Sequence, residues 1–182
     1  MFLTMIAMAA AMPATDPLAP ARRGLVQCRG VHEDRTCEIM VDYTPLRDGS
    51  YRSRSRVLYS NVPNIVIEAY STVRIENGQV CDRDFAGKMH RTRLLMDGVP
   101  APADITADFH QRYDSTMTPF EGATVCATYE DGGRGGWSAT VIVDGAEYPD
   151  LGSRFIWVRP DQYRLAPAPS NVTVTPRHQT QN

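Results

Sequence analysis

Several signatures are missing from this chain, and each absence closes off a class of chemistry. No C-x-x-C pair occurs, so the ligand spacing of zinc ribbons and thioredoxin-like sites is lacking. No Gly-x-Ser-x-Gly elbow supplies a hydrolase nucleophile. The glycine-rich stretch at residues 132–136 leads into a strand pattern and carries no Gly-Lys-Ser/Thr, which removes the phosphate-loop reading. The sequence calls for no metal and no cofactor. Net charge is also small: the formal value of −2 gives no global field that would draw the protein to nucleic acid or to an anionic membrane. The cations are nearly all arginine, with Lys88 the only lysine.

Long apolar runs are scarce as well. The one uncharged apolar stretch, residues 2–12, is about half the roughly 20 residues that a membrane-spanning helix needs. It leads through Pro- and Ala-rich sequence into the first of four cysteines, Cys28. That order reads as a cleaved export signal ahead of a disulfide-held domain, even though no basic residue precedes the run. Small residues at Ala9, Ala11 and Ala14 suit a cleavage site, placed here after Ala14. The segments expected are a signal over 1–14, a linker over 15–23, one domain over 24–165 and a disordered tail over 166–182. The expected address is secretion or a periplasm, with no transmembrane anchor after cleavage. The tail contains Asn171-Val172-Thr173, a glycosylation acceptor pattern.

Between residues 24 and 160 apolar residues recur with a period of two, the mark of strands with one buried face. In residues 65–76, Ile65, Ile67, Ala69, Ser71, Val73 and Ile75 share a face, and the run ends at Asn77-Gly78. That dipeptide tolerates positive φ at both centres of a type I′ turn, which sets Val80 opposite Ile75 and Cys81 opposite Arg74. Further hairpins are expected between residues 26–30 and 37–43, and between 123–129 and 137–143. Residues 155–158 form a last short strand. One segment has a helical period: Ile105, Phe109, Tyr113 and Met117 recur every four residues after Asp104, a candidate cap, and Pro119 ends them. The fold class is therefore α+β, a predominantly antiparallel sheet built from hairpins with one amphipathic helix over 104–117 laid on it.

Four cysteines allow three pairings. Cys28 and Cys37 lie on opposite arms of one hairpin, and Cys81 and Cys126 each fall on the polar phase of their strands, so the pairing expected is Cys28–Cys37 with Cys81–Cys126.

Among residues able to bind, Arg52, Arg54 and Arg56 stand out. In a strand they project from one face about 7 Å apart and suit repeated phosphate or carboxylate groups. The competing explanation is an edge strand kept soluble by charge. His90-Arg91-Thr92-Arg93 extends the patch if its segment lies nearby, and Arg134 tips the glycine-rich hairpin. His32 with Glu33 and Asp34 reads as a solvated turn, and Asp108 as the partner of Arg112 four residues on. The first function expected is a non-catalytic exported protein whose sheet surface binds a partner or an anionic envelope component. The alternative is a small secreted hydrolase assembled from dispersed His90, His110, Asp82 and Asp84.

Overall fold

The computed structural model describes residues 16–88 and 91–166. The expected signal over 1–14, the tail beyond Ala166, Asn171, His90 and His178 lie outside the described residues.

The chain begins with a helical turn, α1 (Ala19–Arg22), followed by five strands: β1 (Val26–Val31), β2 (Thr36–Pro45), β3 (Tyr51–Asn61), β4 (Asn64–Glu76) and β5 (Gln79–Asp82). A short hairpin, β6 (Arg93–Met96) and β7 (Val99–Pro100), precedes α2 (Ala103–Met117) and a 3₁₀ turn at Thr118–Phe120. Then come β8 (Val125–Asp131), β9 (Gly136–Val143), β10 (Ala146–Glu147), β11 (Ser153–Val158) and β12 (Arg164–Leu165).

Eight of these strands close on themselves. Each of β1 to β4 pairs antiparallel with the next, β5 continues to β8, β8 to β9 and β9 to β11, and β11 pairs back onto β1 with Val26 opposite Val158. The result fits the expected α+β class, antiparallel strands with one helix packed on them, but the sheet is closed into an up-and-down barrel. Period-two patterning reports only that one face of each strand is buried, and a barrel interior buries that face as fully as a covering helix does. Closure depends on the pairing of β1 with β11, which no local signal encodes.

Local chemistry explains most of the elements. Asn77 and Gly78 both take positive φ, 51° and 79°, and the register they set places Val80 opposite Ile75 and Cys81 opposite Arg74. Asp97-Gly98 makes the same kind of turn, with φ of 52° and 83°, between β6 and β7. Helix α2 presents Phe109, Ile105 and Tyr113 to Ile67, Val57, Ile65 and Leu94 of the sheet. Its cap position is Pro102 and not Asp104, which sits in the first turn, where a carboxylate complements the helix dipole.

The expected linker over 15–23 is packed structure from Leu18 onward. Leu18 is 0% exposed and joins Ala21, Val41, Tyr43, Tyr51, Val73 and Val80 in one cluster, so α1 stoppers the barrel end where these side chains meet. Arg22 holds the turn from outside, donating Nη1 to the Tyr51 hydroxyl at 2.9 Å and pairing with Asp16. On the outer wall, Val26, Cys28, Cys37, Met40 and Val158 form a second cluster, covered by Tyr163 and Leu165 of the returning C-terminal segment.

Both cysteine pairs are bridged, Cys28 to Cys37 and Cys81 to Cys126. Cys81 and Cys126 are directly opposed on β5 and β8. Cys28 and Cys37 are not opposed, since Cys28 faces Met40 and Cys37 faces Val31, so that bridge runs obliquely across its hairpin.

Truncating Leu18→Ala removes a fully buried side chain at the barrel end and is expected to cost about 2–4 kcal/mol, read as a lower urea midpoint. Replacing Cys81 and Cys126 together by Ala opens the longer loop and should cost about 4 kcal/mol in the chain-entropy model, against about 2.7 for the Cys28/Cys37 pair. Equal losses from the two pairs would contradict that ordering.

Candidate functional site

Strand β4 has two different neighbours along one edge. Ile65 to Glu68 pair with β6 and Arg74 to Glu76 pair with β5, while the residues between have no ladder partner on that side. The segment leaving β5 at Asp82 and rejoining at Arg93 runs past this gap. Here the wall opens into a cleft of about 420 Å³ lined by Arg52, Tyr70, Ser71, Thr72, Asp84, Lys88, Arg91 and Arg93. Four cations thus surround one stretch of β4.

Their partners differ. Lys88 is only 4% exposed and contacts the Asp82 carboxylate, itself buried. Burial first, and the charge of Arg91 second, push the Lys88 ammonium down from its ordinary value, and the touching Asp82 carboxylate opposes that push. Asp82 also accepts the Asp84 amide at 3.0 Å, which fixes the turn out of β5. Arg91 meets Asp84 at 2.6 Å at the exposed rim. Arg52 and Arg93 carry no ion pair among the described residues. Arg52 lies opposite Thr72 on β3, Arg93 lies opposite Glu68 on β6, and the Arg93 guanidinium sits 5.9 Å above the Tyr70 ring.

The three-arginine row on β3 therefore divides by register. All three share the outer face, as their alternation requires, but each meets a different neighbour. Arg54 lies between Asp42 and Tyr70, bonds Asp42 at 2.9 Å and approaches Glu68 at 4.0 Å. Arg56 lies opposite the buried Glu68, and its Nε is itself buried. Only Arg52 lines the cleft. Arg134, at φ 52°, is exposed at the tip of the β8–β9 hairpin and is not part of the lining.

Arg91 and Arg93 do join the patch, since β6 pairs with β4, while Lys88 was not foreseen as a member. A signal for Lys88 existed: a lone lysine six residues after Asp82 in a chain that otherwise uses arginine. Of the dispersed hydrolase candidates, Asp82 and Asp84 are held by Lys88 and Arg91, and His110 lies edge-on to Phe109 on α2 at 5.6 Å. In the first hairpin turn Asp34 accepts from Thr36 at 2.6 Å and His32 faces Glu38 at 3.3 Å, so these side chains serve the turn.

A second constellation went unremarked in the sequence: the inward face of β1, where Gln27 is wholly buried and bonded by Arg29 at 3.1 Å. Near it the hydroxyls of Tyr43 and Tyr129 meet at 2.9 Å. Burial first, then Tyr129, raises the Tyr43 phenol well above its ordinary value, so it stays neutral and hydrogen-bonding.

Comparison with protein-family models, with characterised proteins and with known structures yields no match to this chain. No helix among the described residues is long and apolar enough to cross a membrane.

The Lys88–Asp82 contact lends itself to a double-mutant cycle. Lys88→Met alone leaves a buried carboxylate without its cation and is expected to cost about 3–5 kcal/mol. Adding Asp82→Asn, which keeps the acceptor for the Asp84 amide, should restore most of that loss in chemical denaturation.

Proposed function

We propose that this is an exported, disulfide-braced β-barrel protein that binds an anionic group through the cleft beside β4, as a binding module and not as a catalyst. The observation that carries the reading is the pair Arg52 and Arg93, two guanidiniums without ion-pair partners among the described residues, flanking Tyr70 on strands either side of β4. Planar guanidiniums recognise phosphate, sulfate and carboxylate oxygens through paired donors. The Tyr70 ring offers a flat apolar surface next to them, and Lys88 and Arg91 add positive charge at the far wall. The ligand class is an anionic partner or an anionic envelope component presented outside the cell.

Export is supported by two disulfides, which persist in oxidising compartments, and by the apolar leader read from the sequence. A domain over 24–165, extended by the packed turn at Leu18, would then be the mature binding unit. Within the row of three, Arg52 is the contributor to binding, while Arg54 holds the wall by meeting Asp42 and Glu68, and Arg56 lies outside the cleft lining.

Calorimetric titration with inorganic tripolyphosphate tests the reading without presuming the natural ligand. Saturable binding is expected, and Arg52→Ala combined with Arg93→Ala should weaken it by about tenfold or more and flatten its salt dependence. Arg134→Ala, remote from the lining, should leave affinity unchanged. Equal losses from Arg134→Ala and the cleft pair would reduce the effect to overall charge and sink the site.

A further inference from the structure

Five aromatic side chains form a ring-to-ring series on the inner wall. Tyr43 lies 6.3 Å from Trp157, Trp157 lies 5.7 Å from Phe155, and Phe155 lies 5.1 Å from Tyr129 and 6.2 Å from Trp137. Gln27 and Arg29 project into this box, because β1 pairs with β11 so that Gln27 is opposite Trp157 and Arg29 opposite Phe155. The Arg29 guanidinium lies 5.9 Å over the Phe155 ring and donates Nη2 to Gln27 Oε1.

That bond engages the side-chain carbonyl of Gln27 and leaves its amide nitrogen free to donate. Gln27 Nε2, Arg29 Nε and Trp157 Nε1 remain as buried donors without an acceptor among the described residues. All three come from adjoining positions of two paired strands, and Gln27 is 0% exposed. A buried unpaired donor is costly, and more so when charged, so these three, one of them on a guanidinium with no carboxylate partner among the described residues, are a strong demand for an anionic acceptor. An open cavity of about 600 Å³ is lined by Phe155 and Trp137 of the box together with Arg154, Ile156, Val31 and Gly30, the last of which follows Arg29 in sequence. Its volume is that of a small-molecule site, and an eight-stranded barrel is of the size that can hold one small ligand.

We propose that the barrel binds a small organic acid, its carboxylate accepting from Arg29, Gln27 and Trp157 and its apolar body lying in the adjoining cavity against Phe155 and Trp137. This site is separate from the outer cleft and stands whether or not that cleft binds anions. The charge of Arg29 selects an acid over a neutral compound of the same shape. The aromatic rings select an apolar body over a hydroxylated one.

The test uses the full chain with benzoate and octanoate as probes and benzyl alcohol as the neutral counterpart of benzoate. Both tryptophans of the protein belong to the box, so their emission reports occupancy directly. At least one acid should give a saturable emission change and a raised melting temperature, with benzyl alcohol at least about tenfold weaker. By calorimetry, Arg29→Met should weaken the acid about 10–100-fold, and Trp157→Phe, which keeps the ring and removes one donor, by a few-fold. Arg52→Ala on the outer wall should change nothing. Where Arg29→Met fails to fold, the wild-type contrast between benzoate and benzyl alcohol decides alone. No saturable response to either acid up to about 10 mM, a range covering even weak affinities, overturns the proposal. So does equal binding of benzyl alcohol, or a crystal structure grown with benzoate in which water alone meets the three donors.

Discussion

The antiparallel pairing of β1 with β11, Val26 against Val158 and Arg29 against Phe155, is the constraint from which the rest of the structure follows. Without it the eight strands would be an open sheet with two long free edges, each a template for aggregation. With it the inner face becomes an enclosed volume that side chains must fill and that α1 must close where Leu18 sits. The same ladder brings Gln27 to Trp157 and Arg29 to Phe155, so the polar and aromatic halves of the interior exist as a unit only because the ends of the domain meet. The Cys81–Cys126 bridge supports closure elsewhere. It joins β5 and β8, the two adjacent barrel strands with the longest intervening segment, which carries β6, β7 and α2.

That long segment also shapes the outer wall. By pairing with only part of β4, β6 leaves a break in the ladder between Glu68 and Arg74, and the turn carrying Lys88 and Arg91 occupies it. Cations on three separate elements are thereby focused on one short length of strand. The inner and outer features differ in character. Outside, charge is concentrated and wet, with Asp84 and Asp42 already engaging some of it. Inside, one guanidinium is set among rings and amides, where each hydrogen bond counts for more because water is largely excluded.

Much of the local structure was legible. Asn77-Gly78 set a register that holds residue by residue through Cys81, and the alternation of residues 65–76 named the inward face of β4 because both signals act over a few residues. Asp97-Gly98 carried an equally good signal for the β6–β7 hairpin, overlooked because the strands it joins are only four and two residues long. Closure was not legible, since Val26 and Val158 are far apart in sequence and either an open sheet or a barrel satisfies the same pattern. The arginine row shows the limit clearly. Its phase was visible in the sequence, but the Asp42 and Glu68 that meet Arg54 lie on neighbouring strands, so its role depends on register. Gln27 and Arg29 escaped notice for a related reason: polar residues at alternate positions look solvent-facing, whereas here that phase points inward.

The position of the closing ladder has a consequence for how the chain acquires its shape during synthesis. Hairpins such as β3–β4 and β8–β9 can form as soon as their own residues are free, but the ring cannot shut until Val158 is available to Val26. A growing polypeptide therefore stays an unclosed ribbon until residue 158 has been made, with the interior rings of Tyr43 and Trp157 still apart. On the proposed export route late closure is an advantage, because the extended form that a narrow channel admits is also the form in which the chain is made.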